Sequence, residues 1–391
     1  MSERPIRVLH LLNSFSTWGC GIVNAVLDIV SGQVREGLDV AVCSGPGELI
    51  SVLERHNIPH FTLDQSRSAG NLARAAISLR QIIRSFDAEI VHCHMMTGVL
   101  LARAVRLTAR YGMVAHVHNV HQRSSVLMGA ADRVIAVSDA VRDDMRRHGV
   151  PARKLRVVRN GTLGSLRLSP SHDKAEKQLL QPAIVAVGGL NHRKGINELI
   201  IAFEIVCRQI PECNLYLVGS GPNRAEFQAQ AARSPFAAQI HFERFQADPL
   251  PYMRASAVYV LASRRESFGL VLTEARQCGC AIVATNVDGI PEALDGGRAG
   301  LLVPPQNPDA LAAGILELLG NDELRAQFRA RASENLEQFR VERVASEITN
   351  VYRELLGGPW RSIGEPNGSE FARRVGRRVC AIQRMTSGEP R

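Results

Sequence analysis

The sequence predicts an α/β protein built from two doubly wound domains, each with a mostly parallel sheet. Short apolar strands alternate with segments of helical periodicity along most of the chain. Glycine-rich turns follow several of these strands, and a region of little periodicity interrupts the alternation near the middle. With 391 residues, the chain is long enough for two domains, each with its own core.

The first half opens with a strand over 6–12, a turn containing Gly19 and Gly21, and a helix over 22–35. Further strands are predicted at 38–43, 60–63, 89–94, 113–117, 133–137 and 155–158. Further helices are predicted at 49–56, 72–84, 98–109 and 138–148. Ser138 suits the N-cap position of the last helix, because its hydroxyl can accept a bond from a free N–H group.

The second half repeats the alternation after the aperiodic region. Strands are predicted at 183–187, 215–218, 240–242, 258–261, 281–285 and 300–303. Helices are predicted at 197–209 and 309–319, and the segment 322–356 is strongly helical. Two such sheets joined once form a cleft, and ligands bind outside the carboxyl ends of the strands that face it.

Five segments follow from this pattern. We expect an N-terminal domain at 1–165, a linker at 166–182 and a C-terminal domain at 183–340, followed by a helix at 341–356 that returns to the N-terminal domain and a basic tail at 357–391. The tail pairs arginines with apolar residues at rough helical spacing, which is typical of a membrane or RNA contact and also of a disordered terminus.

Composition indicates a globular protein, since 45% of the residues are hydrophobic. No apolar run reaches the roughly 18 residues that span a bilayer, and the N-terminus lacks a secretory pattern, so we expect a cytoplasmic location. The eight cysteines are scattered, which predicts reduced and mostly buried thiols rather than a disulfide framework.

The net charge of +9 is concentrated in the first half and the tail. Arg103, Arg106 and Arg110 fall on one face of a predicted helix. This face predicts either peripheral contact with an anionic membrane at its inner surface or an ordinary solvated surface. No nucleic-acid partner is expected.

The segment 263–275 carries the clearest chemical signal. Glu266 and Glu274 flank a turn at Gly269, where an apolar strand gives way to a helix. A helix start presents free N–H groups and a partial positive charge, so it is suited to a phosphate. Carboxylates beside it can accept hydrogen bonds from hydroxyl groups of a ligand.

Two pairs of histidines lie at predicted strand ends. His92 and His94 alternate on one strand, and His116 and His118 on another, so each pair points to one face of the sheet. The spacing raises a zinc site as one interpretation. No carboxylate or cysteine spacing supports it, so we predict no metal and place the histidines on a cleft wall.

Several motifs together resemble the retaining glycosyltransferases of family 4, also called glycosyl transferases group 1, which have the GT-B fold. The resemblance covers 6–356, and its motifs stand in the family's order. They are DRVIAVSD at 132–139, VRNG at 158–161, VGGL with a following KG at 187–195, LVGSGP at 217–222, the glutamates at 266 and 274, and GIPE at 289–292.

The resemblance implies an enzyme that moves a sugar from a nucleotide-diphosphate sugar to a hydroxyl group of a glycan or lipid-linked acceptor. The N-terminal domain would bind the acceptor and the C-terminal domain the nucleotide sugar. Transfer would retain the anomeric configuration by front-face attack, with a donor phosphate oxygen taking the acceptor proton. Neither a metal nor a cofactor is implied.

The resemblance also implies roles for individual residues. Glu274 would hold the ribose, Glu266 the donor sugar, and His118 would donate a hydrogen bond near the reacting carbon. His118, Lys194 and Glu266 are the catalytic candidates. The donor-binding candidates are Gly19, Gly189, Arg193, Lys194, Gly221, Glu266, Ser267, Phe268, Gly269, Leu270 and Glu274. Candidates for the acceptor side or the cleft wall are Asn13, Gly21, His94 and His116. For Gly19, turn geometry is an equally good explanation.

One position departs from the family pattern. Gly189 stands where the family usually has an arginine, so one cation expected at the diphosphate is missing. Arg193 is the candidate replacement. The alternatives to a transferase are a binding protein of the same fold that has lost catalysis and a sugar-nucleotide epimerase.

Overall fold

The computed structural model describes residues 4–16, 21–119, 123–167 and 176–357. They form two sheets, one in each half of the chain, in which every neighbouring pair of strands is parallel. The predicted α/β class with two doubly wound domains is therefore confirmed.

The first sheet has seven strands in the order β3-β2-β1-β4-β5-β6-β7. The strands are β1 (Arg7–Leu11), β2 (Asp39–Ser44), β3 (His60–Thr62), β4 (Ile90–Cys93), β5 (Gly112–Val117), β6 (Arg133–Ala136) and β7 (Leu155–Val157). Its helices are α1 (Gly21–Arg35), α2 (Ile50–Arg55), α3 (Ala69–Phe86), α4 (Met96–Val105) and α5 (Asp139–Arg147). Ser138 caps α5, because its hydroxyl accepts a hydrogen bond from the Val141 N–H at 3.1 Å.

The second sheet has six strands in the order β10-β9-β8-β11-β12-β13. The strands are β8 (Ala183–Val187), β9 (Asn214–Val218), β10 (Ile240–Glu243), β11 (Val258–Leu261), β12 (Ile282–Thr285) and β13 (Leu301–Val303). Its helices are α6 (Ile196–Gln209), α7 (Arg224–Ala231), α8 (Leu250–Arg254), α9 (Leu270–Gln277), α10 (Ile290–Ala293), α11 (Pro308–Gly320) and α12 (Asp322–Ala332). Apolar residues on both faces of this sheet are buried, as expected for a parallel sheet between helix layers.

The final helix, α13 (Val341–Leu356), packs along α1 and thus on the first sheet. Its buried face includes Val344, Ile348 and Tyr352, which join the apolar core beneath α1. The last described helix of the chain therefore ties the C-terminal half back to the N-terminal domain.

The strongly helical segment 322–356 forms two helices, and the second one, α13, has the bounds expected for the helix at 341–356. Helix α12 ends at Ala332, Asn335 adopts a left-handed backbone with φ of 55°, and a 3₁₀ turn precedes α13. Phe339 in this turn is buried, with its ring centroid 6.4 Å from that of Phe268 and the Arg276 guanidinium over its face. Packing of this aromatic side chain overrides helical periodicity.

The predicted arginine face is also incomplete. Helix α4 ends at Val105, four residues earlier than expected, so Arg110 lies outside it. Arg106 donates to the Asp132 carboxylate at 2.6 Å and is partly buried. Within the described residues, no helix is long and apolar enough to cross a membrane.

Candidate functional site

A cavity of about 1110 Å³ lies between the domains, at the carboxyl ends of strands from both sheets. Most of the predicted site residues line it: Gly21, His118, Gly189, Arg193, Lys194, Glu266, Ser267, Phe268, Gly269, Leu270 and Glu274. Asn13, His94, His116 and Gly221 are not among its lining residues. Gly19 lies outside the described residues.

Helix α9 begins at the cavity wall. Gly269 precedes it with φ of 88°, a left-handed conformation that residues with a side chain rarely adopt. Among the loop and cap hydrogen bonds of the described residues, none is donated by the N–H groups of Phe268, Gly269 or Leu270. These groups are therefore available to an anion, whereas the Phe268 side chain is buried in the core.

Lys194 and Glu266 form an ion pair on the same wall, and both side chains are largely buried. Lys194 is held there by the turn that ends at Gly195, whose φ is 67°. A Cβ atom at Gly195 would lie 1.9 Å from the Ala262 carbonyl oxygen, so only glycine lets the turn approach the strand end. The Arg193 guanidinium lies 3.8 Å from the Glu266 carboxylate, next to the same pair.

Glu274 takes part in a buried ion triad that joins the domains. Arg167 donates to Glu274 Oε1 at 2.7 Å and to both carboxylate oxygens of Asp28 at 2.9 and 3.2 Å. Burial raises the pKa of Glu274 and of Asp28, and the Arg167 charge opposes both shifts. Arg167 thus holds Glu274 through Oε1 at the cavity wall.

The sequence interpretation missed the other two members of this triad. Arg167 falls in the predicted linker, where nothing in the local pattern distinguishes it. Asp28 carried a usable signal, because it is an acidic residue among the apolar positions of α1. An ionisable side chain on a helix face that packs on a sheet needs a partner.

His118 lies on the opposite wall, and its ring contacts a series of histidines inside the N-terminal domain. Its Nε2 lies 3.0 Å from His94 Nδ1, and His94 Nε2 lies 2.8 Å from His10 Nδ1. His94 and His116 are buried within the sheet layer instead of on the cleft wall, where we expected them. The reason is register: strands β1, β4 and β5 direct these side chains to the face beneath α1 and α13.

Burial keeps these histidines neutral. It lowers the pKa of His118 to about 3 and that of His10 to about 4. The pKa values of His92, His94 and His116 fall well below the ordinary range, first because of burial and then because neighbouring histidines disfavour a second charge. The N-terminal wall of the cavity is therefore uncharged at this position.

Two groups of three histidines have the donor atoms for a metal ion. His10, His92 and His94, and likewise His94, His116 and His118, place ring nitrogens within 4.8 Å of one another. Both nitrogens of His94, the shared member, are already within hydrogen-bond distance of His10 and His118. Hydrogen bonding between neutral rings therefore accounts for its geometry, and the absence of a metal stays a prediction.

Glu292 of the GIPE motif makes a second bridge between the domains. Its carboxylate accepts hydrogen bonds from the Asp139 and Ala140 N–H groups, at 3.0 and 3.1 Å, and from Arg159 at 2.9 Å. A residue of the C-terminal domain therefore caps the first turn of α5 in the N-terminal domain. This contact joins the two domains outside the lining of the cavity.

The protein therefore has two doubly wound domains, and a charged wall suited to an anion lies at the cleft between them. Residues 170–335 match the family described as Glycosyl transferases group 1, and residues 20–162 match Glycosyltransferase Family 4. The chain belongs to the group 1 glycosyltransferases of the GT-B fold, as its motifs predicted.

Curated relatives include a phosphatidyl-myo-inositol mannosyltransferase of Mycolicibacterium smegmatis, 34% identical over 168 residues, or 42% of this chain and 43% of that protein. A D-inositol 3-phosphate glycosyltransferase of Streptomyces avermitilis is 30% identical over 62% of this chain and 56% of that protein. These alignments span about half of each relative's length.

Among solved structures, Anabaena Alr3699/HepE in complex with UDP and glucose superposes with a TM-score of 0.77. It is 22% identical, and the match covers 89% of this chain and 100% of that one. A sucrose-phosphate synthase from Thermosynechococcus elongatus superposes with a TM-score of 0.74 at 21% identity, covering 90% and 99% of the two chains. At this identity, the likeness establishes the fold.

Proposed function

We propose that the protein transfers a sugar from a nucleotide-diphosphate sugar to a hydroxyl group of a glycan or lipid-linked acceptor. The observation that carries the proposal is the charged C-terminal wall, where Lys194, Glu266 and Glu274 surround the start of α9. A relative named as a phosphatidyl-myo-inositol mannosyltransferase and the structural neighbour solved with UDP and glucose support this class of substrates.

Each group on this wall suits one part of the donor. The N–H groups at 268–270 and the Lys194 ammonium would receive the diphosphate and stabilise the charge that it gains as it leaves. The Glu274 Oε2 would accept hydrogen bonds from the ribose hydroxyls, while Arg167 holds its other oxygen. Glu266 would accept bonds from hydroxyls of the sugar beside Lys194.

The reaction would proceed with retention and without a metal ion. The bond between the anomeric carbon and the diphosphate oxygen breaks, and its electrons leave with the diphosphate. The acceptor oxygen forms the new bond on the same face and gives its proton to a phosphate oxygen. The protein's cations and N–H groups would supply the electrostatic stabilisation that this step needs.

Gly189 bears on the rate of this reaction. It lines the cavity without a side chain, so the diphosphate lacks one cation found in the family pattern. Arg193 lies on the same wall, and its guanidinium is 3.8 Å from the Glu266 carboxylate. It belongs to the same turn as Lys194. We propose that Arg193 takes part of the missing role.

The test is incubation of the intact protein with UDP-, GDP- and ADP-sugars, with mass-spectrometric analysis of the products. We expect transfer or slow hydrolysis of one donor. Glu274→Ala should lower this activity by roughly 100-fold or more, because hydrogen bonds to a charged group contribute about 1.5–3 kcal/mol each. His118→Ala should lower kcat while the affinity for the nucleotide is retained.

A second candidate function is nucleotide-sugar binding without catalysis, which the missing cation at Gly189 favours. Binding of a donor without any product, in a preparation that retains its fold, would select this alternative. An isomerised donor would instead indicate an epimerase. Unchanged turnover in Glu274→Ala would contradict the assignment of the ribose site.

A further inference from the structure

Six buried or partly buried side chains form one continuous series of hydrogen bonds, here called the histidine chain. It starts at His118 on the cavity wall and runs through His94 and His10 to Gln33 of α1, at distances of 3.0, 2.8 and 2.8 Å. From Gln33 it continues to Tyr352 of α13 and to His92, at 2.9 and 2.6 Å. It connects the cleft to the layer beneath two helices.

In the histidine chain, the chemistry of each side chain determines which atom donates and which accepts each hydrogen bond. The Gln33 amide oxygen is hydrogen-bonded to His10 Nε2, and the Gln33 amide nitrogen donates to the Tyr352 hydroxyl. An amide oxygen only accepts, so His10 Nε2 carries the proton. A neutral imidazole has one N–H group, so His10 Nδ1 is an acceptor and His94 Nε2 must donate to it.

The same argument continues to the cavity. Because His94 Nε2 carries its proton, His94 Nδ1 is an acceptor, and His118 Nε2 must donate to it. His118 Nδ1 is then left with an unshared lone pair, and it is buried without a hydrogen-bond partner among the described residues. At the far end, Tyr352 accepts from Gln33 and donates its one proton to His92 Nδ1.

We propose that the histidine chain fixes His118 in its Nε2–H tautomer, so that Nδ1, the buried ring nitrogen without a partner among the described residues, is left as an acceptor. Gln33 and Tyr352 act as positioning residues for this state. The effect of this tautomer on catalysis rests on the proposed function. The tautomer itself does not.

Three observations support a hydrogen-bonded chain over independent, packed rings. The members come from β1, β4, the end of β5, α1 and α13, yet each step lies within hydrogen-bond distance. Gln33, His10 and His92 are fully buried, where an unpaired polar group is costly. Burial also lowers the pKa of His10 and His118, which keeps each ring with a single proton.

The direct test is a long-range ¹H–¹⁵N correlation spectrum of the intact protein labelled at histidine, recorded near pH 7 without ligand. Single-histidine substitutions assign the signals. We expect His10, His94 and His118 each to be neutral with the proton on Nε2. A proton on His118 Nδ1, a charged ring or a mixture of tautomers would overturn the proposal.

Two substitutions test transmission along the chain. Gln33→Met removes the acceptor for His10, and Tyr352→Phe removes the hydroxyl that holds the Gln33 amide in place. Both should convert His118 to a mixture of tautomers, although neither residue touches it. The matched control is Gln65→Met, since Gln65 is equally buried in the same domain but bonds to the Leu12 carbonyl oxygen. It should leave the histidine signals unchanged.

The kinetic readout separates positioning from stability. Gln33→Met should lower kcat roughly tenfold with KM for the donor unchanged, in line with the effect of removing an outer hydrogen-bond partner of a metal-binding histidine. A single Nε2–H tautomer at His118 in folded Gln33→Met would exclude transmission. If no donor reacts with the wild-type protein, the proposed function fails, but the tautomer measurements still decide this inference.

Discussion

The two domains share one plan, but they differ in where they place polar groups. In the N-terminal domain, five histidines lie on β1, β4 and β5 or directly after β4 and β5, and four of them are fully or almost fully buried. In the C-terminal domain, both faces of the sheet are packed with apolar side chains. Its charged groups, Lys194 and Glu266, stand instead on loops after the strands.

The two walls of the cavity therefore offer different chemistry. The C-terminal wall offers fixed charges and free N–H groups, which suit a diphosphate and hydroxyl groups. The N-terminal wall offers a neutral ring whose protons are arranged by residues deep in the domain. Sensitivity to pH should therefore reside in the N-terminal domain, and sensitivity to charge removal in the C-terminal wall.

The largest expected effect is loss of stability in acid. These five histidines have lower pKa values in the folded protein than the ordinary 6.5, so their contribution is complete above pH 6.5 and is lost progressively as the pH falls below it. With about 1.4 kcal/mol per pH unit for each proton, the free energy of unfolding should fall by up to roughly 7 kcal/mol per unit. Denaturant titrations between pH 8 and pH 5 measure it.

A single substitution sharpens this prediction. Both ring nitrogens of His116 are buried without a hydrogen-bond partner among the described residues. His116→Leu should therefore reduce the pH slope by about 1.4 kcal/mol per unit while the stability at pH 8 is retained. A slope equal to that of the wild-type protein would show that His116 does not take up a proton on unfolding.

The next effect concerns the ion triad at the domain boundary. Arg167→Met should lower the free energy of unfolding by about 3–5 kcal/mol, because it leaves the Asp28 and Glu274 carboxylates buried without their cation. Asp28→Asn should cost less, since the pair of Arg167 with Glu274 remains. Equal effects of the two substitutions, measured by chemical denaturation, would contradict the central place of Arg167.

Removal of the Lys194 charge should slow transfer with little effect on the fold. Lys194→Met is expected to lower kcat by about 10²–10³-fold, as is typical when one group that stabilises developing negative charge is removed. The control is Lys154→Met in the N-terminal domain, where the ammonium contacts the Gly129 and Ala131 carbonyl oxygens away from the cavity. Similar rates in both variants would remove Lys194 from the leaving-group site.

The smallest effect is expected at Glu292. Glu292→Gln should lower the free energy of unfolding by about 1 kcal/mol, because the first turn of α5 loses a charged cap and Arg159 loses a partner. The measurement is the thermal unfolding of both Glu292→Gln and Glu347→Gln. The second variant is the control, because it removes a charge from a surface ion pair on α13. A smaller shift in Glu292→Gln than in this control would argue against the bridge.

The sequence was most informative where local patterns decide structure. The alternation of strands and helices predicted both sheets, and the motif around Gly269 predicted the start of α9 on the cavity wall. It was least informative where distant residues decide. The break at Asn335 depends on the packing of Phe339, and the partner of Glu274 lies 107 positions away in the chain.

The histidines show what their spacing could predict and what it could not. Period-two spacing predicted that His92 and His94 share a face, as do His116 and His118. It could not predict which helices cover that face, so His94 and His116 were placed on the cleft wall although α1 and α13 bury them. Gln33 and Tyr352, which complete the chain, lie on helices 319 positions apart.

The most direct test of a nucleotide-sugar site on the C-terminal wall is calorimetric titration of the intact protein with UDP, GDP and ADP. The wild-type protein should bind one of these diphosphates at a single site, and folded Glu274→Ala should bind it at least tenfold more weakly. Equal affinity in the two proteins, or no binding of any of the three by the wild-type protein, would contradict the account.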